Sequence, residues 1–286
     1  PIYSFSRAYS VQSQLLPFIE LAQIHDSIDF NRDLTASGMS MDLSTDPVML
    51  ELFKTSPAMV RCPSDSTGKT IQYYGSSATT ETAISSYVAC YGSTHLRLSE
   101  MSSNPPPAGP NGVYHLNSYY PLAAITDGLS NTMFMAEALA GPGGVPIESS
   151  EGLTHAAAKT SREYRWLIAQ VIPMPSAPWD TTGTGGATYI DTKLGTGAKK
   201  WYRGRCATWL LGLPMYTGYT AYLPPNAKVA GFWSMHDGYY GARSNHPGGV
   251  STLGGDGSVH FVSDSINDSI WRNLGSRNDG EVASFK

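Results

Sequence analysis

The feature that most constrains the fold lies near the end of the chain, where an Asp-Gly pair separates two runs of strand-forming residues. Asp256-Gly257 is typical of a tight turn with positive φ at both central positions. Residues 250–253 and 258–262 have the period of two that half-buried strands require. The sequence therefore predicts a β-hairpin that turns at Asp256-Gly257.

Nine residues separate His246 from this pair, and the two side chains suggest a catalytic dyad of His246 and Asp256. An extended arm from residue 250 to Asp256 covers roughly 20 Å, whereas a direct hydrogen bond needs about 3 Å. We therefore expect His246 near the junction of strand and helix at residues 264–268, as a neutral imidazole that fixes the loop. The motif then marks architecture, and no catalytic residue is predicted.

Further short patterns occur along the chain. They are LLPFIE at residues 15–20, CPSD at 62–65, TDGLSNT at 126–132 followed by Glu137, PPN at 224–226, and a closing pattern of Trp271, Leu274 and Gly280-Glu281. Together with His246, Asp256 and Gly257, these patterns resemble, in the same order, the motifs of the prepilin-associated H-X9-DG family. That family comprises pilin-like or pseudopilin-like exported proteins typical of planctomycete-type bacteria. Here Asp279 stands where the family has a first glycine.

The resemblance implies an α+β, pilin-like fold. An N-terminal helix would pack on a mainly antiparallel β-sheet with long loops, and a C-terminal hairpin would precede a short helix. Residues 1–286 would form a single domain, with a loop-rich insertion or lobe at about 141–200. The resemblance also implies self-assembly or contacts with other pilin-like or secretion components. The location would be the cell surface or outside the cell, or the periplasm with a membrane anchor.

The first residues depart from the family pattern, because neither a prepilin leader nor a long apolar helix is present. No run of about 18 consecutive apolar residues occurs, and no signal sequence is recognisable. We therefore expect a soluble portion whose only membrane contact would be through an absent N-terminal helix.

Charge and composition exclude some partners. The formal net charge is −4, and charged residues make up 15% of the chain, against roughly 25% in average soluble proteins. This gives no electrostatic basis for binding nucleic acid or an anionic membrane. A weakly charged surface favours contacts with other proteins.

The three cysteines, Cys62, Cys90 and Cys206, are far apart and show no zinc-ribbon spacing. In an exported protein, one disulfide and one spare thiol are expected. Cys62–Cys90 is favoured because both border turn-like segments. A bridge that uses Cys206 and three buried thiols remain as alternatives.

Proline and capping patterns predict the helices. One helix is predicted from Pro17 to about Ile28, with Phe18, Leu21, Ile24 and Ile28 on one face. Asp46 caps a short helix over residues 48–53. Short strands are predicted at residues 58–62, 86–89 and 132–138. Ser263 or Asp264 begins a last helix whose Ile266, Ile270 and Leu274 would pack on Val259 and Phe261.

Three sets of side chains are candidates for ligand binding. Structural calcium, which pilin-like proteins sometimes use, would take oxygen ligands from these residues: Asp127, Asn131, Glu137, Asp264 and Asp268. Sugar stacking or a protein interface would use these aromatic residues: Trp201, Trp209, Trp233 and Tyr239. A catalytic metal would use His236, His246 and His260, although none has helical i, i+4 spacing. Turn and capping chemistry is the alternative role of the carboxylates.

The sequence thus predicts a non-enzymatic structural or assembly protein of the cell surface, which resembles a pilin or a type II secretion pseudopilin. Its first alternative is an extracellular glycan-binding module, and its second is a metal-dependent hydrolase. No cofactor beyond the possible calcium is predicted.

Overall fold

The computed structural model describes residues 7–36, 42–75, 79–94, 111–115, 120–151, 153–171, 185–234, 237–281 and 283–285. The helices of this part are α1 Val11–Leu15, α2 Ala22–Asp26, α3 Pro47–Lys54, α4 His155–Thr160, α5 Gly186–Gly197, α6 Pro214–Thr217 and α7 Asp268–Gly275. Its strands are β1 Thr70–Tyr74, β2 Thr79–Ala83, β3 Tyr87–Cys90, β4 Met133–Glu137, β5 Ile147–Glu148, β6 Ile168–Val171, β7 Ala198–Tyr202, β8 Gly218–Tyr219, β9 Gly231–Ser234, β10 Asp237–Tyr239, β11 Gly249–Gly254 and β12 Val259–Ser263. The fold is α+β.

The strands form two five-stranded sheets and a separate β1–β2 hairpin. The first sheet has the order β12-β11-β4-β3-β8, and the second sheet has the order β10-β9-β6-β7-β5. Most pairs are antiparallel, but β3 pairs with β8, and β6 with β9, in parallel. The second sheet takes three of its strands from the region predicted to be a loop-rich insertion. It has a buried cluster of its own around Leu167, Ile190 and Trp201.

The N-terminal segment differs from the prediction of one helix between Pro17 and Ile28. Helix α1, capped by Ser10, passes into a 3-10 turn at Leu16–Ile19, and α2 follows after a break. Glu20 causes this break because its backbone is left-handed, with φ 64°, which a regular helix does not accommodate. The single-helix prediction is therefore wrong, and Phe18 is exposed instead of packed. None of the described helices is long and apolar enough to cross a membrane.

Local capping chemistry determines where α3, the second of the predicted helices, begins. Asp46 accepts hydrogen bonds from the backbone N–H groups of Val48 and Met49, at 2.8 and 3.4 Å, and α3 begins at Pro47. This prediction is confirmed, as are the strands at β3 and β4. The strand predicted at residues 58–62 is wrong: a 3-10 turn occupies Ala58–Val60 and carries the chain into the CPSD turn.

The C-terminal hairpin is confirmed, with Gly249 paired to Ser263 and Leu253 to Val259. Its turn differs in detail, because only Gly257 has positive φ, at 85°, and Asp256 does not. The N–H of Gly257 donates to the Gly254 carbonyl at 3.1 Å. Gly255 therefore belongs to the loop, and a three-residue loop needs a left-handed residue only at its end.

Replacing Gly257 with alanine is expected to lower the free energy of unfolding by about 1 kcal/mol, because a Cβ disfavours left-handed backbone. Apart from its two chain neighbours, no residue has an atom within 4 Å of the Cβ position, so the cost is conformational and not steric. Gly195→Ala in α5 is the matched control, since a Cβ added at Gly195 also makes no close contact. It should stabilise by about 0.5–1 kcal/mol through helix propensity. Urea unfolding of both variants measures the change in the free energy of unfolding. Equal changes in the two variants would contradict a conformational role for Gly257.

The packing stripe predicted for the last helix is confirmed at Leu274, which is buried, and at Ile266, which packs against the core, but it is wrong at Ile270. Trp271 and Leu274 are fully buried in one cluster with Val250 and Val262, whereas Ile270 is exposed. The helix begins after Asn267, whose side chain accepts from the N–H of Ser269 at 2.8 Å. The predicted packing on Val259 and Phe261 is wrong, because those side chains lie on the opposite face of the hairpin and are exposed.

Candidate site where the sequence motifs converge

Three motif side chains from distant parts of the sequence meet at one end of β4. Cys62 follows the 3-10 turn, Glu137 is the last residue of β4, and His246 lies in the loop before β11. Their ligand-type atoms all lie within 4.8 Å of one another. The pairing of β4 between β3 and β11 carries Glu137 to this position. We call this group the Cys–Glu–His cluster.

The imidazole Nε2 of His246 is the centre of the cluster. It lies 3.1 Å from Oε1 of Glu137, 3.5 Å from Sγ of Cys62 and 3.2 Å from Oγ of Ser64. The Ser64 hydroxyl and the Cys62 thiol are themselves 3.0 Å apart. A ring nitrogen carries at most one proton, so it cannot donate a full hydrogen bond to all three neighbours.

Asp65 fixes the turn that carries Cys62 and Ser64. Its buried carboxylate accepts from the N–H of Thr67 at 3.0 Å, the hydroxyl of Ser86 at 3.1 Å and the N–H of Ala140 at 3.1 Å. The turn is thereby tied to the starts of β3 and of the segment after β4. Charge-assisted bonds of this kind are stronger than neutral ones, so the cluster is held by a rigid support.

Glu137 is held equally firmly. Its Oε2 accepts from the N–H of Ser251 at 2.7 Å, and its backbone carbonyl accepts from the N–H of Arg243 at 2.8 Å. The Glu137 side chain is only 4% exposed, whereas that of His246 is 37% exposed. The cluster therefore has a buried acidic side and a solvent-accessible imidazole side.

Tyr87 borders the cluster on β3. Burial raises the pKa of its phenol to about 12, with smaller contributions from Cys62 and Glu137. The phenol therefore stays protonated at neutral pH. It can act as a hydrogen-bond donor towards the cluster but not as a base.

The cluster does not have the geometry of a nucleophilic triad. In such a triad the base uses one ring nitrogen for the nucleophile and the other for the carboxylate. Here the same nitrogen, Nε2 of His246, faces both Cys62 and Glu137. The arrangement is instead that of groups that converge on a common point.

An apolar groove begins beside the cluster and runs over the first sheet. It has a volume of about 510 Å³, and both Glu137 and Tyr87 line its inner end. Most of its remaining wall is aliphatic or thioether: Leu15, Ile19, Met59, Met135, Leu253 and Val259. The N-terminal segment forms one wall because the Gln12 amide donates to the Tyr87 carbonyl at 2.7 Å. We call this feature the sheet groove.

A family described as protein of unknown function (DUF1559) matches residues 3–269. The chain belongs to this family. Its members are bacterial exported proteins, which agrees with the expected export of this chain. No match is found among curated proteins or among solved structures. The closer resemblance to H-X9-DG and pilin-like proteins stays a prediction.

In this DUF1559 chain the two parts of the His-to-Asp-Gly motif lie at opposite ends of β11. Asp256 is in the exposed turn, where hydrogen bonds from Ser258 lower the pKa of its carboxyl. The expectation that His246 bonds near residues 264–268 is wrong. The side-chain amide of Asn226 makes the hydrogen bond there instead. Asn226 donates to Asp264 at 2.7 Å and to the Gly249 carbonyl at 3.2 Å. The PPN pattern thus supports the loop that carries His246.

The residues proposed for calcium have separate partners. The Asp127 carboxylate accepts from the N–H groups of Asp279 and Gly280, at 2.9 and 3.1 Å, and so joins the TDGLSNT and closing patterns. The Asn131 amide donates to the Asp127 carbonyl. Glu137 belongs to the cluster, Asp264 bonds Asn226, and Asp268 lies 3.9 Å from Arg272 in α7. The five side chains are engaged in four different environments.

The disulfide predicted between Cys62 and Cys90 is not formed, because all three cysteines are free and buried. The Cys90 thiol donates to the Gly275 carbonyl at 3.6 Å. Burial raises the pKa values of Cys90 and Cys206 to about 11, so neither is a reactive thiolate at neutral pH.

The aromatic candidates do not form a sugar-binding surface. Trp201, Trp209 and Tyr239 are fully buried, and Trp233 is half-buried edge-on against Tyr202. Stacking on a sugar requires an exposed ring face, so this prediction is wrong for the three buried rings. They belong instead to the core clusters of the two sheets.

Two of the three histidines in the predicted set, His246 and His260, have different partners. His260 lies 2.7 Å from the Ser258 hydroxyl and stacks on Phe285, while His246 faces Glu137. His236 lies outside the described residues. The combination of His246 with Cys62 and Glu137 was not predicted, although each residue was noted within its own pattern.

Proposed function

We propose that this chain is a non-enzymatic structural protein of the bacterial cell surface, pilin-like in its mode of action, which assembles with further copies of itself. The sheet groove is the observation that carries the proposal. Contiguous exposed apolar surface of this kind marks protein contacts in soluble domains.

The rim of the groove presents large apolar side chains to solvent. Of the residues that line the groove, Val259 is 71% exposed and Met59 59%, and the neighbouring residues Phe18 and Phe261 are 83% and 56% exposed. Val259 and Phe261 are two residues apart and therefore lie on the same face of β12. This strand forms an edge of the first sheet. An edge strand has free backbone groups for pairing with another chain. Apolar contact and strand pairing would thus act on the same partner.

A second copy is the favoured partner because the edge and the groove lie together on every molecule. The weak net charge of −4 leaves little repulsion between copies. Side chains of β12 point alternately to its two faces, so the exposed ones could enter the groove of a second copy. The glycan-binding alternative has no support from the buried aromatic residues.

Sedimentation equilibrium of the purified chain over a wide concentration range tests the proposal. The wild type is expected to associate reversibly, and Met59→Ser and Val259→Ser should each weaken association about tenfold or more. Val145→Ser is the matched control, because Val145 is as exposed as Met59, at 59%, and does not line the groove. A strictly monomeric wild type, or equal loss in the control, would refute the proposal.

A further inference from the structure

We infer that the Cys–Glu–His cluster is a zinc site, with Cys62, Glu137 and His246 as protein ligands and Ser64 at the fourth position. The inference concerns the inner end of the groove and does not depend on self-assembly. It rests on the distances, the donor types, the charge balance and the access of the cluster.

The distances fit tetrahedral coordination. Zinc bonds of about 2.0–2.3 Å place neighbouring ligand atoms roughly 3.3–3.8 Å apart. The Nε2 atom of His246 is 3.1 Å from Oε1 of Glu137 and 3.5 Å from Sγ of Cys62. All three ligand-type atoms lie within 4.8 Å of one another, so an approach of at most about 1 Å brings every pair within tetrahedral spacing.

The fourth corner is also supplied. Oγ of Ser64 lies 3.2 Å from Nε2 of His246 and 3.0 Å from Sγ of Cys62. It can face the ion directly or hold a water there. Either arrangement completes the four-coordinate geometry that zinc adopts in proteins.

The donor set selects the metal. A thiolate and an imidazole are ligands for zinc and other borderline or soft ions, whereas calcium and magnesium require oxygen. Zinc ligands of these types bind as thiolate, carboxylate and neutral imidazole, so a divalent ion would balance the two negative charges. Neutralisation matters here because Glu137 is buried and an uncompensated buried charge is costly.

Hydrogen bonds support the ligands of the proposed site, and solvent can reach it. Asp65 fixes the turn that carries Cys62, and the N–H of Ser251 orients the Glu137 carboxylate at 2.7 Å. Such supporting hydrogen bonds orient ligands in metal sites. The half-exposed ring of His246 provides the entry path from solvent.

Titration of the chelator-treated chain with Co²⁺, followed by competition with Zn²⁺, tests this inference. The expected result is one Co²⁺ per chain, with a thiolate charge-transfer band in the near ultraviolet and strong visible bands from tetrahedral coordination. Zn²⁺ should displace it. Because the ligands must lose protons, binding should weaken as the pH falls.

The variants separate this site from adventitious binding. His246→Asn should weaken Co²⁺ binding by at least about 100-fold, and Cys62→Ser should abolish the charge-transfer band. His25→Asn, in α2, is the matched histidine control and should leave the titration unchanged. Near-ultraviolet circular dichroism verifies folding, and Cys62→Ser carries the test if His246→Asn does not fold. A missing charge-transfer band in the wild type, or a band that survives in Cys62→Ser, would overturn the inference.

Discussion

Replacing Asp65 with alanine is expected to lower the free energy of unfolding by about 3 kcal/mol, a large fraction of the stability of an ordinary domain. The carboxylate accepts from Thr67, Ser86 and Ala140 and is buried. Its loss leaves buried donors without an acceptor, and buried unsatisfied donors are costly. Urea denaturation followed by circular dichroism measures the change.

Asp26→Ala is the matched control for Asp65→Ala. The Asp26 side chain is 78% exposed beside His25, and exposed substitutions of this kind change stability by about 0.5 kcal/mol or less. Equal effects of the two variants would mean that Asp65 does not support the CPSD turn. Asp65→Asn should lie between them, because an amide keeps one acceptor oxygen.

Replacing Trp271 with alanine is expected to cost about 4 kcal/mol, since it removes a fully buried ring and creates a cavity. The indole N–H donates to the Leu223 carbonyl at 2.8 Å, and the ring packs on Tyr219. Trp271→Phe keeps most of the packing but leaves that carbonyl without its donor, so about 2 kcal/mol is expected. Thermal or urea unfolding distinguishes the two.

The neighbouring residue gives the control for Trp271→Ala. Ile270 is 38% exposed, so Ile270→Ala should cost about 1 kcal/mol or less. The sequence pattern alone predicts the opposite order, with Ile270 in the packed stripe. A larger loss for Ile270→Ala than for Trp271→Ala would contradict the observed orientation of α7.

Local chemistry made part of the fold predictable. Asp46 before Pro47 determines where α3 begins, because capping involves only the next few backbone groups. The hairpin of β11 and β12 likewise follows from the turn residues between two short strands. Glu20 could not be anticipated in the same way, since a left-handed non-glycine residue depends on the surrounding structure.

The orientation of the hairpin was harder to predict. Val250 and Val262 are on one face, and Val259 and Phe261 are on the other, so both faces of β12 carry apolar residues. A period of two defines the faces but does not say which one is buried when both are apolar. Val250 and Val262 are buried in the main core cluster, and Val259 on the other face lines the sheet groove.

The candidate site required knowledge of the tertiary fold. His246 is 109 residues from Glu137 and 184 from Cys62 along the chain. Only the order of β3, β4 and β11 in the first sheet brings them together. The individual patterns indicated turns correctly, but spacing within one pattern gives no information about contacts between patterns.

The most direct measurement is a crystal structure of the chain grown with Zn²⁺, with anomalous data collected on both sides of the zinc absorption edge. We expect an anomalous peak about 2.0–2.3 Å from Sγ of Cys62, a carboxylate oxygen of Glu137 and Nε2 of His246. A structure in which the His246 ring points away from Cys62 and Glu137, with no anomalous peak between them, would contradict the convergence of the motifs on one site.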